Sequence, residues 1–192
     1  MMDGVRRQGT VGAIVQMANP VFIVVAVGVP IGALIVALAS GSITYLNYVH
    51  IMSGALWTGI DLFMGFVLGP VLGGMEPRER VPVFRRLMPR MTFLMPVLAA
   101  VTATSGIQVA QQLGMFSLTH IWIVGALVVV AILTIQGFGM LLPNEIRIFR
   151  ELLSPTPNTE RISRLGMQNA KLGGLQGVFQ LVIIFIMAAL RF

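Results

Sequence analysis

Apolar residues run along this chain in stretches too long and too continuous for a soluble fold. Crossing about 30 Å of hydrocarbon takes roughly 20 helical residues. Five stretches reach that length: residues 21–39, 45–73, 92–113, 120–142 and 173–190. The first carries no charge, and the second is unusually long with a single charge, Asp61. The pattern predicts an all-α integral membrane helical bundle of five transmembrane helices. It forms a single transmembrane helical domain over residues 1–192. The sizeable pieces outside the spans are the residues before Pro20 and two links, 75–90 and 143–171, both expected to be helical and amphipathic.

Composition agrees. Of 192 residues, 56% are hydrophobic and 10% charged, with no cysteine, against about 25% charged residues in an ordinary soluble domain. The absence of cysteine excludes disulfide staples, thiolate metal sites, a cysteine nucleophile and cysteine-held iron–sulfur clusters. Two histidines are too few for a multi-histidine metal cage. The chain also lacks a Gly-rich phosphate loop and a serine, histidine and acid set for acyl transfer.

The net charge of +6 belongs first to topology. Arg6 and Arg7 precede the first span. Arg78, Arg80, Arg85, Arg86 and Arg90 lie between the second and third, and Arg147, Arg150, Arg161, Arg164 and Lys171 between the fourth and fifth. The links Ser40–Thr44 and Gly114–Thr119 carry no charge. Twelve of the thirteen basic residues thus fall on one side, which the positive-inside rule makes cytoplasmic. The N-terminus is then inside and the C-terminus outside, in a multi-pass protein expected in a prokaryotic cytoplasmic membrane. Arg6, Arg7 and Ala37-Leu38-Ala39 have the look of a signal peptide, but the apolar run is long for a signal core. It is taken as a retained helix. The arginines of the links suit contact with anionic lipid, and no basic stripe suggests nucleic acid. In Val83-Phe84-Arg85-Arg86-Leu87-Met88, basic and apolar residues separate onto two faces, as in a helix lying at headgroup level. Asn158 is placed to cap a helix starting near Glu160.

Small residues at four-residue spacing, Gly65, Gly69 and Gly73 in the second span, Gly28 and Gly32 in the first, and Gly173 and Gly177 in the last, fit close helix packing. The thirteen methionines are scattered, with no Met-x-x-x-Met cluster on one face at the outer end to support a copper(I) relay.

Chemistry concentrates in the second span. His50, Gly54, Trp57 and Asp61 are offset by 0, 4, 7 and 11 residues, which returns to one helix face. A histidine that binds a flat macrocycle needs room beside it, and Gly54 would supply it. Trp57 could stack on such a ring or wall its cavity. Asp61 is the single acid within the hydrocarbon spans, and an ionisable residue at that depth points to function by default, here proton handling. A polar knot between helices is the competing role. Counting inward from the helix ends puts Gln136 and Gln176 near its level, as hydrogen-bond partners. His120 opens the fourth span, parallel to the second, so both histidines belong to the outer leaflet. Two such histidines can hold a haem iron axially. Alternatively, His120 is an interfacial residue beside Trp122.

The spacing His50-x3-Gly54-x2-Trp57-x-Gly59, followed by Phe63-Met64-Gly65-Phe66-Val67, resembles a loose group of small membrane haem and copper proteins. The group includes HemJ-type protoporphyrinogen oxidases, the membrane domain of cytochrome-linked urate oxidases, and CopD-like copper-resistance proteins. His120-Ile121-Trp122 is a weaker echo. The resemblance covers under a quarter of the chain and implies a four-helix core binding haem b, with His50 as ligand. HemJ-type proteins also carry a lysine in a later helix and a Leu-Pro-Arg run. Here Gly125 and Gly69-Pro70 stand instead, so haem binding is implied more than porphyrinogen oxidation.

The expected function is therefore a membrane haem b-binding protein in electron transfer or redox chemistry, with quinone as a further cofactor or partner and Asp61 handling protons. As an enzyme it would be a membrane-bound oxidoreductase. Arg191 is the one cation on the outer side for the haem propionates. The alternatives are a non-catalytic structural or accessory subunit of a larger membrane complex, and a copper or small-solute permease using His50, Met52 and Asp61. The expected partners are the lipid bilayer, haem, and other membrane subunits or further copies in a homo-oligomer.

Overall fold

The computed structural model describes residues 10–190. Among them it contains six helices and no strand: α1 (Thr10–Ala18), α2 (Pro20–Ser40), α3 (Ile43–Gly73), α4 (Pro77–Gln112), α5 (Ile121–Leu152) and α6 (Thr159–Ala189). The last five are long and apolar enough to cross a membrane. The chain is thus a multi-pass helical membrane bundle. The short helix α1 lies outside the five expected stretches.

Local chemistry explains the helix ends. Pro20 and Pro77 occupy first-turn positions, where a missing N–H costs nothing. The Asn158 side chain accepts from the Arg161 amide at 2.9 Å, the expected cap. Gly41, at φ 65°, closes α2 in a left-handed conformation that a side chain would strain, and α3 follows at once. Arg80 closes α3, donating to the Gly73 carbonyl at 3.1 Å and the Met75 carbonyl at 2.6 Å.

The links differ most from expectation. Residues 75–90 are largely the first turns of α4, a helix of 36 residues and thus about 54 Å long. That far exceeds the hydrocarbon thickness. Phe84 and Met88 do not face lipid headgroups. They are buried in a core with Ile148, Phe149 and Ile162. The bundle therefore continues beyond the membrane at its basic end, where α5 runs on to Leu152 before Ser154-Pro155-Thr156-Pro157 breaks it. All ten described Lys and Arg residues lie in that half of the bundle, the end taken as cytoplasmic.

Helix α3 is central. It packs against α4 and α6, while α2 covers the outer side of α3 and α4. Its tightest crossing is with α6. A Cβ on Gly174 would stand 2.7 Å from the Gly65 Cα, and one on Gly177 would stand 2.8 Å from Leu62. Here the small residues serve backbone approach, as expected. Gly28, Gly32 and Gly73, read the same way, have nothing within 4 Å of a Cβ. Both α3 and α5 contain a π-helical turn, Phe63–Leu68 and Gly137–Leu141. Each begins just past a polar residue, Asp61 or Gln136, and shifts the helix face that follows.

Candidate functional site

Helix α4 packs on α5 through the segment Leu142–Leu152 near the basic end, whereas α3 and α6 hold the bundle together on the other side. Between them lies a cavity of about 320 Å³ bounded by α3, α4, α5 and α6. That volume falls at the lower end of small-molecule and cofactor sites, about 300–1,000 Å³. Its walls are overwhelmingly apolar, including Met64, Met91, Met95, Phe116 and Phe138. The ionisable groups lining it are His50, Asp61 and Glu145, and no Lys or Arg does so.

His50 is fixed by α4. Its Nδ1 lies 2.9 Å from the Thr102 carbonyl, an acceptor, so the ring donates from Nδ1. The Ser105 hydroxyl approaches the same nitrogen at 3.4 Å. A hydrogen-bonded Nδ1–H leaves the lone pair on Nε2, the tautomer a metal-ligating imidazole needs. Room for the ring comes from Gly106, where a Cβ would stand 2.7 Å from Cε1. The glycine that makes space for His50 is therefore on the neighbouring helix. Gly54, given that role from its spacing, instead meets Thr102, whose Cγ2 would lie 3.3 Å from a Cβ there. It serves the α3–α4 crossing, beside the Ser53–Thr102 hydrogen bond of 3.0 Å.

Trp57 lines the cavity and packs on the Ala126, Val129, Leu133 and Ile186 cluster, so it walls the site against α5 and α6. Asp61 also lines the cavity at 3% exposure. Its partner is Gln180, whose Nε2 donates to Oδ2 at 2.8 Å. The expected partners Gln136 and Gln176 bond elsewhere. Gln136 donates to the Leu172 carbonyl at 2.8 Å and Gln176 to the Leu133 carbonyl at 3.3 Å, tying α5 to α6. Depth counting found the right level but could not resolve which helix face each glutamine occupies, Gln136 on α5 and Gln176 on α6.

His120 stands apart. It is exposed at the position preceding α5 and does not line the cavity. The structure does not bring the two histidines together, because α5 begins only at Ile121 and α3 carries His50 two turns inside its own start. Arg191 lies outside the described residues. Among those described, no three His, Cys, Asp or Glu side chains converge to hold a bare metal ion.

Sequence reasoning missed Glu145, placing it in a cytoplasmic link. Phe138, Leu141, Leu142 and Glu145 all line the cavity, at offsets of 0, 3, 4 and 7 that mark one helix face. Continuing the apolar stripe of α5 one turn past Pro143 would have found it.

Compared with family models, curated proteins and solved structures, the chain has no significant match in any of the three.

Proposed function

We propose that this chain is a membrane haem b-binding protein taking part in electron transfer or redox chemistry, in which His50 would hold the haem iron through Nε2. The observation that carries the reading is the combination at His50: a ring oriented by the Thr102 carbonyl, seated on Gly106, at the wall of a largely apolar cavity. His50 is the one histidine that lines the cavity, which supports a haem held by His50 rather than by His50 and His120 together. Bound haem b supplies a one-electron couple within reach of lipid-soluble carriers such as quinone. Trp57 and the methionines give the site apolar walls. Thr102 orients the ligand and raises its basicity, an effect typically worth 10- to 100-fold in metal affinity. Asp61, paired with Gln180, can hold or release a proton beside the cavity.

The test is an absorption spectrum of detergent-purified protein after haem supplementation. Wild type and His120→Ala are expected to show a Soret band, and His50→Ala to lose it. No Soret band in the wild type overturns the reading.

A further inference from the structure

Two carboxyl groups line one membrane-embedded cavity, and only Asp61 has been given a role. We propose that Glu145 takes up protons at the basic, cytoplasmic end of the cavity and passes them to Asp61, about one helical turn deeper. The purpose of this path, proton uptake coupled to electron arrival, rests on the haem reading above. The path itself does not.

The hydrogen bonding around Glu145 accommodates a carboxylic acid. Its partner is the Thr92 hydroxyl, 2.7 Å from Oε2. The same hydroxyl lies 2.9 Å from the Met88 carbonyl. A hydroxyl has one hydrogen, so it cannot donate to both. If Glu145 holds a proton, it donates to Thr92 Oγ1 while Thr92 donates to Met88, and each contact has its hydrogen. If Glu145 is ionised, one of the two contacts lacks one. No cation offsets a charge here. The two ion pairs among the described residues, Arg78–Glu76 and Arg161–Glu151, are elsewhere. The neighbouring Arg147 donates to Asn144 Oδ1 at 3.2 Å. Met91 on α4, Leu142 on α5 and Asn169 on α6 also line the cavity, whose other titratable groups are His50 and Asp61.

The relative levels follow from α6. Asn144, next to Glu145, donates to Asn169 at 3.0 Å. Gly173, four residues on, abuts Asp61, whose Oδ1 would lie 3.3 Å from a Cβ there. Four residues of helix rise about 6 Å along the axis, and water in the cavity would carry the proton between the two carboxyl groups. Asn169 lines the stretch between and offers a polar wall. At the receiving end, Gln180 is 1% exposed and its Oε1 has no hydrogen-bond partner. Its amide serves either state of Asp61. Nε2 donates to a carboxylate, and after half a turn Oε1 accepts from the acid.

The test has two arms. In the first, haem-free protein in lipid nanodiscs is treated with dicyclohexylcarbodiimide, an apolar reagent for protonated carboxyl groups, and adducts are mapped by mass spectrometry. Labelling at Glu145 and Asp61 is expected, with the Glu145 adduct absent from Glu145→Gln. An unlabelled Glu145 overturns the proposal whatever the haem result. In the second, the haem-loaded protein is reduced by a flash in the presence of a pH dye. Proton uptake should slow by about 10²-fold in Glu145→Gln, the lower end of what a positioned proton-transfer group contributes, and recover in part in Glu145→Asp. The pH dependence of the midpoint potential should persist in Glu145→Gln and vanish in Asp61→Asn. An unchanged uptake rate in a folded Glu145→Gln variant also overturns it. A missing Soret band defeats the haem reading alone and leaves the labelling result to decide the path.

Discussion

Gly106→Ala offers the sharpest probe of the His50 site, because it changes neither the ligand nor its hydrogen-bond acceptor. The new Cβ would stand 2.7 Å from His50 Cε1, 3.1 Å from Nδ1 and 3.4 Å from Nε2. Carbon atoms prefer about 3.5–4.0 Å, so the ring must withdraw by roughly 0.8 Å. Thr102 and Gly106 lie one turn apart on α4, so withdrawal from one is withdrawal from the other. The Nδ1–carbonyl contact, now 2.9 Å, would then open to about 3.7 Å, beyond a real hydrogen bond. Loss of such an orienting partner typically costs 10- to 100-fold in metal affinity, or about 1.4–2.8 kcal/mol. Overpacking of about 1–3 kcal/mol, offset by the helix preference for Ala over Gly of about 1 kcal/mol, leaves a fold-stability loss of about 0–2 kcal/mol. The assay is a haem titration followed by Soret absorbance, with unfolding recorded in parallel. Gly28→Ala, whose Cβ would meet nothing within 4 Å, should bind as wild type does. Wild-type affinity and spectrum in Gly106→Ala would refute the argument that His50 is the ligand and that Thr102 holds it.

Three further outcomes follow from the packing. Gly174→Val should destabilise the bundle by at least 1–3 kcal/mol, read as a lower Tm in detergent, because its Cβ would press on the Gly65 backbone at 2.7 Å; Gly73→Val, in open space, should leave Tm nearly unchanged. Gln180→Leu strips Asp61 of its hydrogen bond and should cost about 1–3 kcal/mol. The same substitution made on Asp61→Leu should cost less, a coupling that a double-mutant cycle of unfolding free energies measures directly. Arg80→Ala removes the donor to the Gly73 and Met75 carbonyls and should cost about 1–2 kcal/mol. Its signature is faster amide exchange confined to the last turn of α3, and uniform exchange would count against the capping role.

Much of the architecture was legible without coordinates, for a physical reason. A backbone in hydrocarbon must satisfy its own hydrogen bonds, so an apolar run of sufficient length can hardly be anything but a helix. That argument fixes the spans at 21–39 and 120–142 to within a residue or two of the apolar portions of α2 and α5. It also brings His50, Trp57 and Asp61 to one face, because a helical offset is local geometry. Hydropathy is blind beyond the membrane edge. There α4 and α5 continue as charged helices around Phe84 and Phe149, and only packing between helices decides that a link is part of the bundle.

What the sequence determined by itself is therefore the class, the number of crossings and the stripe on α3. Tertiary structure alone decided the partners. It chose Gly106 over Gly54 to seat the histidine, Gln180 over Gln136 and Gln176 to meet Asp61, and it left His120 outside while bringing Glu145 in. Each of these depends on how one helix is rotated and raised against another. That is set by where glycines let backbones touch and where π-helical turns shift a face, and neither is a property of any single segment.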